Sequence, residues 1–134
     1  VNQIERHPHF RREEELKIMA ELGVQPEAWA PFAEGLKGMF TDPVLTEIAA
    51  KHGKSVAQVI LRWDIQRGVA VIPKSVHRER LVENQAVWDF ALDADNLAKI
   101  AALGIGQPSM LDTNKPSEVR RVYDYLRNPV LTSL

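Results

Sequence analysis

The chain has 134 residues, 45% hydrophobic and 26% charged, with a formal net charge of −1 and no cysteine. That balance is the ordinary one of a soluble globular domain, and it lacks the basic stripe that a nucleic-acid footprint requires. No apolar run approaches a membrane span and no signal-peptide pattern opens the chain, so the expected setting is cytoplasmic, with neither membrane nor nucleic acid as a partner. Without cysteine there is no disulfide framework, thiolate nucleophile or zinc–thiolate site.

In chain order, Val1 to Glu5 reads as a strand ended by the turn His7-Pro8. The spacing of Leu16, Met19 and Leu22 predicts a helix over residues 11–22, with Gly23 as its stop and Glu13-Glu14-Glu15 as a solvated first turn. Gln25 to Ala30 reads as a short strand ending at Pro31. Asp42 is a suitable N-cap, and Pro43 a suitable first residue, for a helix ending near Gly53. Ser55 and Gln58 form a capping box for a helix over residues 56–66, stopped at Gly68. Val69 to Ile72 is nearly continuously apolar, as a parallel strand covered on both faces would be. Helices follow over residues 79–87 and 94–103, the second capped by Asp93, and Ser117 to Arg127 reads as a final amphipathic helix. Short strands alternating with long helices predict an α/β fold with parallel pairing.

The chemistry concentrates in Ile72-Pro73-Lys74-Ser75-Val76 and the Arg80, Glu83, Asn84 that follow. Strand, turn and helix N-terminus in succession present free N–H groups and a positive dipole end, which favour an anion. Lys74 and Arg80 add charge, and Ser75 adds a hydroxyl. On a helix, Arg80, Glu83 and Asn84 fall at i, i+3 and i+4 and share a face. From these residues alone, two readings stay open: a phosphate clamp beside groups that read a purine edge, or a solvated loop with a surface Arg–Glu pair.

The segment resembles the C-terminal cofactor loop of the aldo-keto reductases, NADPH-dependent enzymes built on a (β/α)8 barrel. Three further stretches resemble the same family in the same order: Val1-Asn2-Gln3-Ile4-Glu5-Arg6-His7-Pro8, Trp29-Ala30-Pro31-Phe32, and Val59 to Trp63 with Val87-Trp88-Asp89-Phe90. The resemblance runs from residue 1 to about residue 104 and covers the last three barrel strands, their helices and the tail. A full barrel needs about 250 residues. The fold expected is therefore a partial (β/α)8 TIM barrel, not closed by this chain alone: a single domain over 1–134, with a cofactor-binding part over about 1–104 and a tail over 105–134.

The resemblance implies roles for particular positions. Gln3 would hydrogen-bond the nicotinamide carboxamide, and Trp29 would stack on the nicotinamide ring. Ala30 and Phe32 stand where the family contacts the diphosphate, although Ala30 lacks the serine hydroxyl common there. Gly35 and Gly38 suit a loop that folds over the cofactor. Lys74, Ser75 and Arg80 would hold the 2′-phosphate that distinguishes NADP(H), Val76 would be a further cofactor-binding position, and Glu83 with Asn84 would contact adenine. The family's catalytic Asp, Tyr, Lys and His have no counterpart, so no catalytic residue is assigned and the isolated chain is expected to be inactive. In the intact enzyme, a small aldehyde or ketone would accept hydride. His7 and His9 lack a suitably placed third ligand, and no metal is expected. Three strands leave two sheet edges and an exposed apolar layer, which predicts association with another copy or with the missing portion. The alternative is a non-catalytic half-barrel that self-associates or binds NADP(H).

Overall fold

The computed structural model describes residues 1–108, 111–112 and 114–128, so the expected tail lies partly outside the described residues. Its sheet is parallel and has the order β1 (Asn2–Glu5), β2 (Pro26–Trp29), β3 (Ala70–Val71). Six helices accompany it among the described residues: α1 (Glu13–Glu21), α2 (Pro43–His52), α3 (Val56–Gln66), α4 (Arg78–Gln85), α5 (Ala94–Ala102) and α6 (Pro116–Arg127). The alternation of elements, the parallel pairing and the unclosed sheet are those anticipated from the sequence.

Local chemistry fixes most of the helix ends. Asp42 accepts the N–H of Val44 and Leu45, and Gly53 closes α2 in the left-handed region at φ 62°. Ser55 and Gln58 form both bonds of the capping box on α3. Asp93 accepts the N–H of Asn96 at 2.8 Å to start α5. Several ends depart from expectation: α4 runs over Arg78–Gln85 rather than 79–87, β2 over Pro26–Trp29 rather than Gln25 to Ala30, and two departures have a clear cause. Arg12 sits at φ 53° and ψ 45°, a left-handed conformation that a helix cannot propagate, so α1 starts at Glu13 rather than at Arg11. Strand β3 shortens from four residues to two because its sole described neighbour is β2, through Glu27↔Ala70 and Ala28↔Val71, and Pro73 offers no N–H beyond it.

The main core lies among α2, α3 and α5, where Leu45, Ile48, Val59, Ile60, Trp63, Leu92 and Ile100 are buried together with Met39 and Ala33. Helix α3 is the central element, packing against α2, α4 and β3. Along the sheet, Ile4 and Ala28 are buried on one face, while Gln3 and Glu27, paired across β1 and β2, lie on the other. Gln3 donates to Glu27 Oε1 at 2.7 Å there. The open face therefore carries a hydrogen-bonded polar pair beside Trp29, and is less apolar than the expected barrel interior.

Arg6, fully buried just past β1, joins three segments. Its Nε donates to Asp64 Oδ1 on α3 at 2.8 Å, its Nη1 donates to the carbonyl of Arg11, and its guanidinium lies 4.1 Å from the centre of the Trp63 ring. Burial pushes the Asp64 carboxyl up from 3.8 to about 7 despite the adjacent guanidinium. The folded state thus binds this proton more tightly than the unfolded chain. The resulting stability is fully present below about pH 4 and is lost as pH rises through 7. Urea unfolding should show wild type losing up to about 4 kcal/mol between pH 4 and 7.5 relative to Asp64→Asn. Parallel pH profiles for the two proteins would mean that Asp64 is charged throughout.

Candidate functional site

The turn from Ile72 to His77 connects β3 to α4. Ser75 organises it: its Oγ accepts the His77 N–H at 3.1 Å, which shapes the approach to a helix without a side-chain cap of its own. Helix α4 then runs beside the N-terminus of α3. Between them and the loop after β2 lies a cleft of about 400 Å³, in the range of ligand pockets.

Six of the ten positions singled out from the sequence meet in this cleft: Phe32, Lys74, Ser75, Arg80, Glu83 and Asn84. The other four do not. Val76 is exposed beside it, Gln3 is engaged with Glu27 on the open sheet face, and Trp29 and Ala30 stand half-buried at the end of β2. The cleft is completed by Phe40, Ser55, Val56 and Ala57, which the sequence reading did not assign to the site. Ser55 was visible only as a helix cap, and Phe40 carried no local signal. Phe40 reaches the wall by tilting against Phe32, ring centres 5.6 Å apart.

Some cations near the cleft are matched: Lys54 lies 2.7 Å from Asp89, whose carboxyl it holds below the usual range, and Lys51 does the same to Asp93. Lys74 and Arg80 have no acidic partner among the described residues. Two uncompensated cations, a hydroxyl and a helix N-terminus at one opening form a receptor for an anion. The loop over the cleft is backbone-strained, with Ala30, Ala33, Glu34 and Lys37 at φ values of 46° to 58°.

Elsewhere, Glu5 and His7 are buried together 3.2 Å apart, burial lowering the His7 pKa, and His9 lies 3.6 Å from Asp42. No cluster of three or more His, Asp or Glu among the described residues could hold a metal, and no described helix is long and apolar enough to cross a membrane.

Comparison with known proteins gives a consistent result. The aldo/keto reductase family model matches residues 1–105. Glyoxal reductase of Bacillus subtilis is 48% identical over 103 residues, which cover 77% of this chain and 37% of that protein. An aldo-keto reductase from a Medee basin deep-sea metagenome superposes with a TM-score of 0.81 at 31% identity, over 85% of this chain and 42% of its own. A variant of Gox0644 in complex with NADPH superposes with a TM-score of 0.76 at 37% identity, over 81% of this chain and 40% of its own. The chain thus spans about two fifths of the length of these relatives. A parallel α/β sheet, a cleft with paired cations and a match through residue 105 converge: the chain belongs to the aldo/keto reductase family.

Proposed function

We propose that this chain provides the adenosine 2′-phosphate part of an NADP(H) site, within an enzyme that reduces small aldehydes or ketones. The observation that carries this reading is the meeting of Lys74 and Arg80, neither with an acidic partner among the described residues, with Ser75, Glu83 and Asn84 in one cleft. Arg80 offers a planar fork to a phosphate and Lys74 a point charge, while Glu83 and Asn84 bring acceptor and donor groups suited to an adenine edge. Phe32 and Phe40 give the cleft an apolar wall against which a base can rest. Trp29 offers a flat face for the nicotinamide. Gln3 would turn its carboxamide from Glu27 toward the cofactor's own, and the backbone at Ala30 and Phe32 would take the diphosphate. When bound, NADPH supplies a hydride for the carbonyl carbon; the chain's part is binding and orientation. The NADPH complex of Gox0644 and the glyoxal reductase activity named for the Bacillus relative support the cofactor and the substrate class.

The family's Asp, Tyr, Lys and His tetrad has no counterpart in the matched residues, so the chain by itself binds without turning over. Partners for the edges of β1 and β3, which pair with no further strand among the described residues, are a second copy or the remainder of a barrel.

Titration calorimetry with NADP+ should show Lys74→Ala/Arg80→Glu weakening binding by about 100-fold, the effect of losing two charge-assisted contacts, with NAD+ affected far less. Equal loss for both dinucleotides would remove the 2′-phosphate assignment. In a carbonyl reductase assay, glyoxal and NADPH should give no turnover above that double variant. Light scattering should return a discrete oligomer that NADP+ tightens; a monodisperse monomer would refute edge pairing.

A further inference from the structure

No residue of helix α4 is buried, and Leu81 and Val82 are 44% and 62% exposed. Its attachment to α3 is polar and starts at Gln58. The Gln58 side chain is buried; its Oε1 accepts the Ser55 N–H at 3.0 Å, and its Nε2 donates to the carbonyls of Glu83 at 3.1 Å and Ala86 at 2.9 Å. Those carbonyls lie at the C-terminal end of α4, where the Glu83 carbonyl also accepts the Ala86 N–H at 3.0 Å and the Ala86 carbonyl lies 3.4 Å from Lys54 Nζ. The pattern repeats along the same face of α3 at intervals of four residues. Arg62 Nη1 donates to Val87 O at 3.3 Å, Gln66 Nε2 donates to Leu92 O at 3.0 Å, and Gln66 Oε1 accepts the Leu92 N–H at 2.7 Å. Of these three side chains, Gln58 is the one that grips a residue of the cleft.

We propose that Gln58 is a positioning residue for the nucleotide: by holding the Glu83 carbonyl it fixes the rotation of α4, and so where Glu83 and Asn84 meet the base. This rests on the reading of the cleft as an NADP(H) subsite. The chemistry is specific to glutamine. Two N–H donors and one acceptor in a single plane satisfy two helix-end carbonyls and one helix-start N–H together. Glutamate keeps the acceptor and loses both donors, which separates the capping of α3 from the grip on α4.

The test is calorimetric titration of the full chain with 2′,5′-ADP, and with NADP+ against its hypoxanthine analogue. Gln58→Glu should weaken 2′,5′-ADP by about tenfold, the loss expected for buried hydrogen bonds. It should also narrow the preference for NADP+ over the hypoxanthine analogue, from about tenfold to about twofold, a change that general loosening does not produce. Gln66→Leu removes a strap from the same face of α3 away from the cleft, and should leave 2′,5′-ADP affinity within about twofold. Gln58→His retains one donor and should fall between wild type and Gln58→Glu, providing the readout if the carboxylate variant does not fold. Wild-type affinity and base preference in either folded Gln58 variant would overturn the role, as would equal weakening in Gln66→Leu. Failure of the cleft reading has a different signature: wild type that does not bind 2′,5′-ADP, or binds it as well after Lys74→Ala.

Discussion

A guanidinium removed from water needs compensation, and Arg6 organises this fold through the partners of its Nε and Nη1 and the Trp63 ring, although its buried Nη2 has no hydrogen-bond partner among the described residues. Its partners come from separate parts of the chain: Asp64 and Trp63 from α3, the Arg11 carbonyl from the loop before α1, and β1 through its own backbone. None of these segments can shift without exposing the charge to a worse environment. The loop pays for its placement with the left-handed turn at Arg12, which in turn sets where α1 begins. Loss of either member of the pair would strand the other, so the two sides of the pair are linked far more strongly than their net contribution to stability suggests.

Helix α3 transmits that constraint to the cleft. Its apolar face, with Val59, Ile60 and Trp63, fills the core against α2 and α5. Asp64 receives Arg6 near its C-terminal end, and a row of polar side chains holds the segment from Glu83 to Leu92. Ser55, Val56 and Ala57 at its N-terminus form part of the cleft wall. One helix therefore fixes the sheet at one end and α4 at the other. The side chains of α4 are in consequence free for recognition, since packing does not demand them.

How far the sequence discloses this depends on the range of the interaction. The caps at Asp42, Ser55 and Asp93, and the glycine stops, were legible because both partners lie within a few residues of one another. The group Lys74, Ser75, Arg80, Glu83 and Asn84 was legible for the same reason, since a turn and two helical turns bring it together. Arg6 was not: its partner is 58 positions away, and nothing near it marks it as buried. Phe40 escaped notice because its contact with Phe32 depends on a run of unusual backbone angles that no side chain announces. The polarity of the open sheet face was missed because it follows from pairing Gln3 with Glu27, which requires the register.

The loop between Ala30 and Gly38 carries a consequence for mutational tolerance. At most positions in a folded protein, glycine weakens the structure by freeing the unfolded chain. Ala30, Ala33, Glu34 and Lys37 reverse that rule, because each already holds an angle that a Cβ opposes and glycine accepts. Sequence drift toward glycine would therefore relax this loop, while the side chains now present keep it under tension. The stretch above the cleft is thus a place where the most permissive residue would give the most settled backbone.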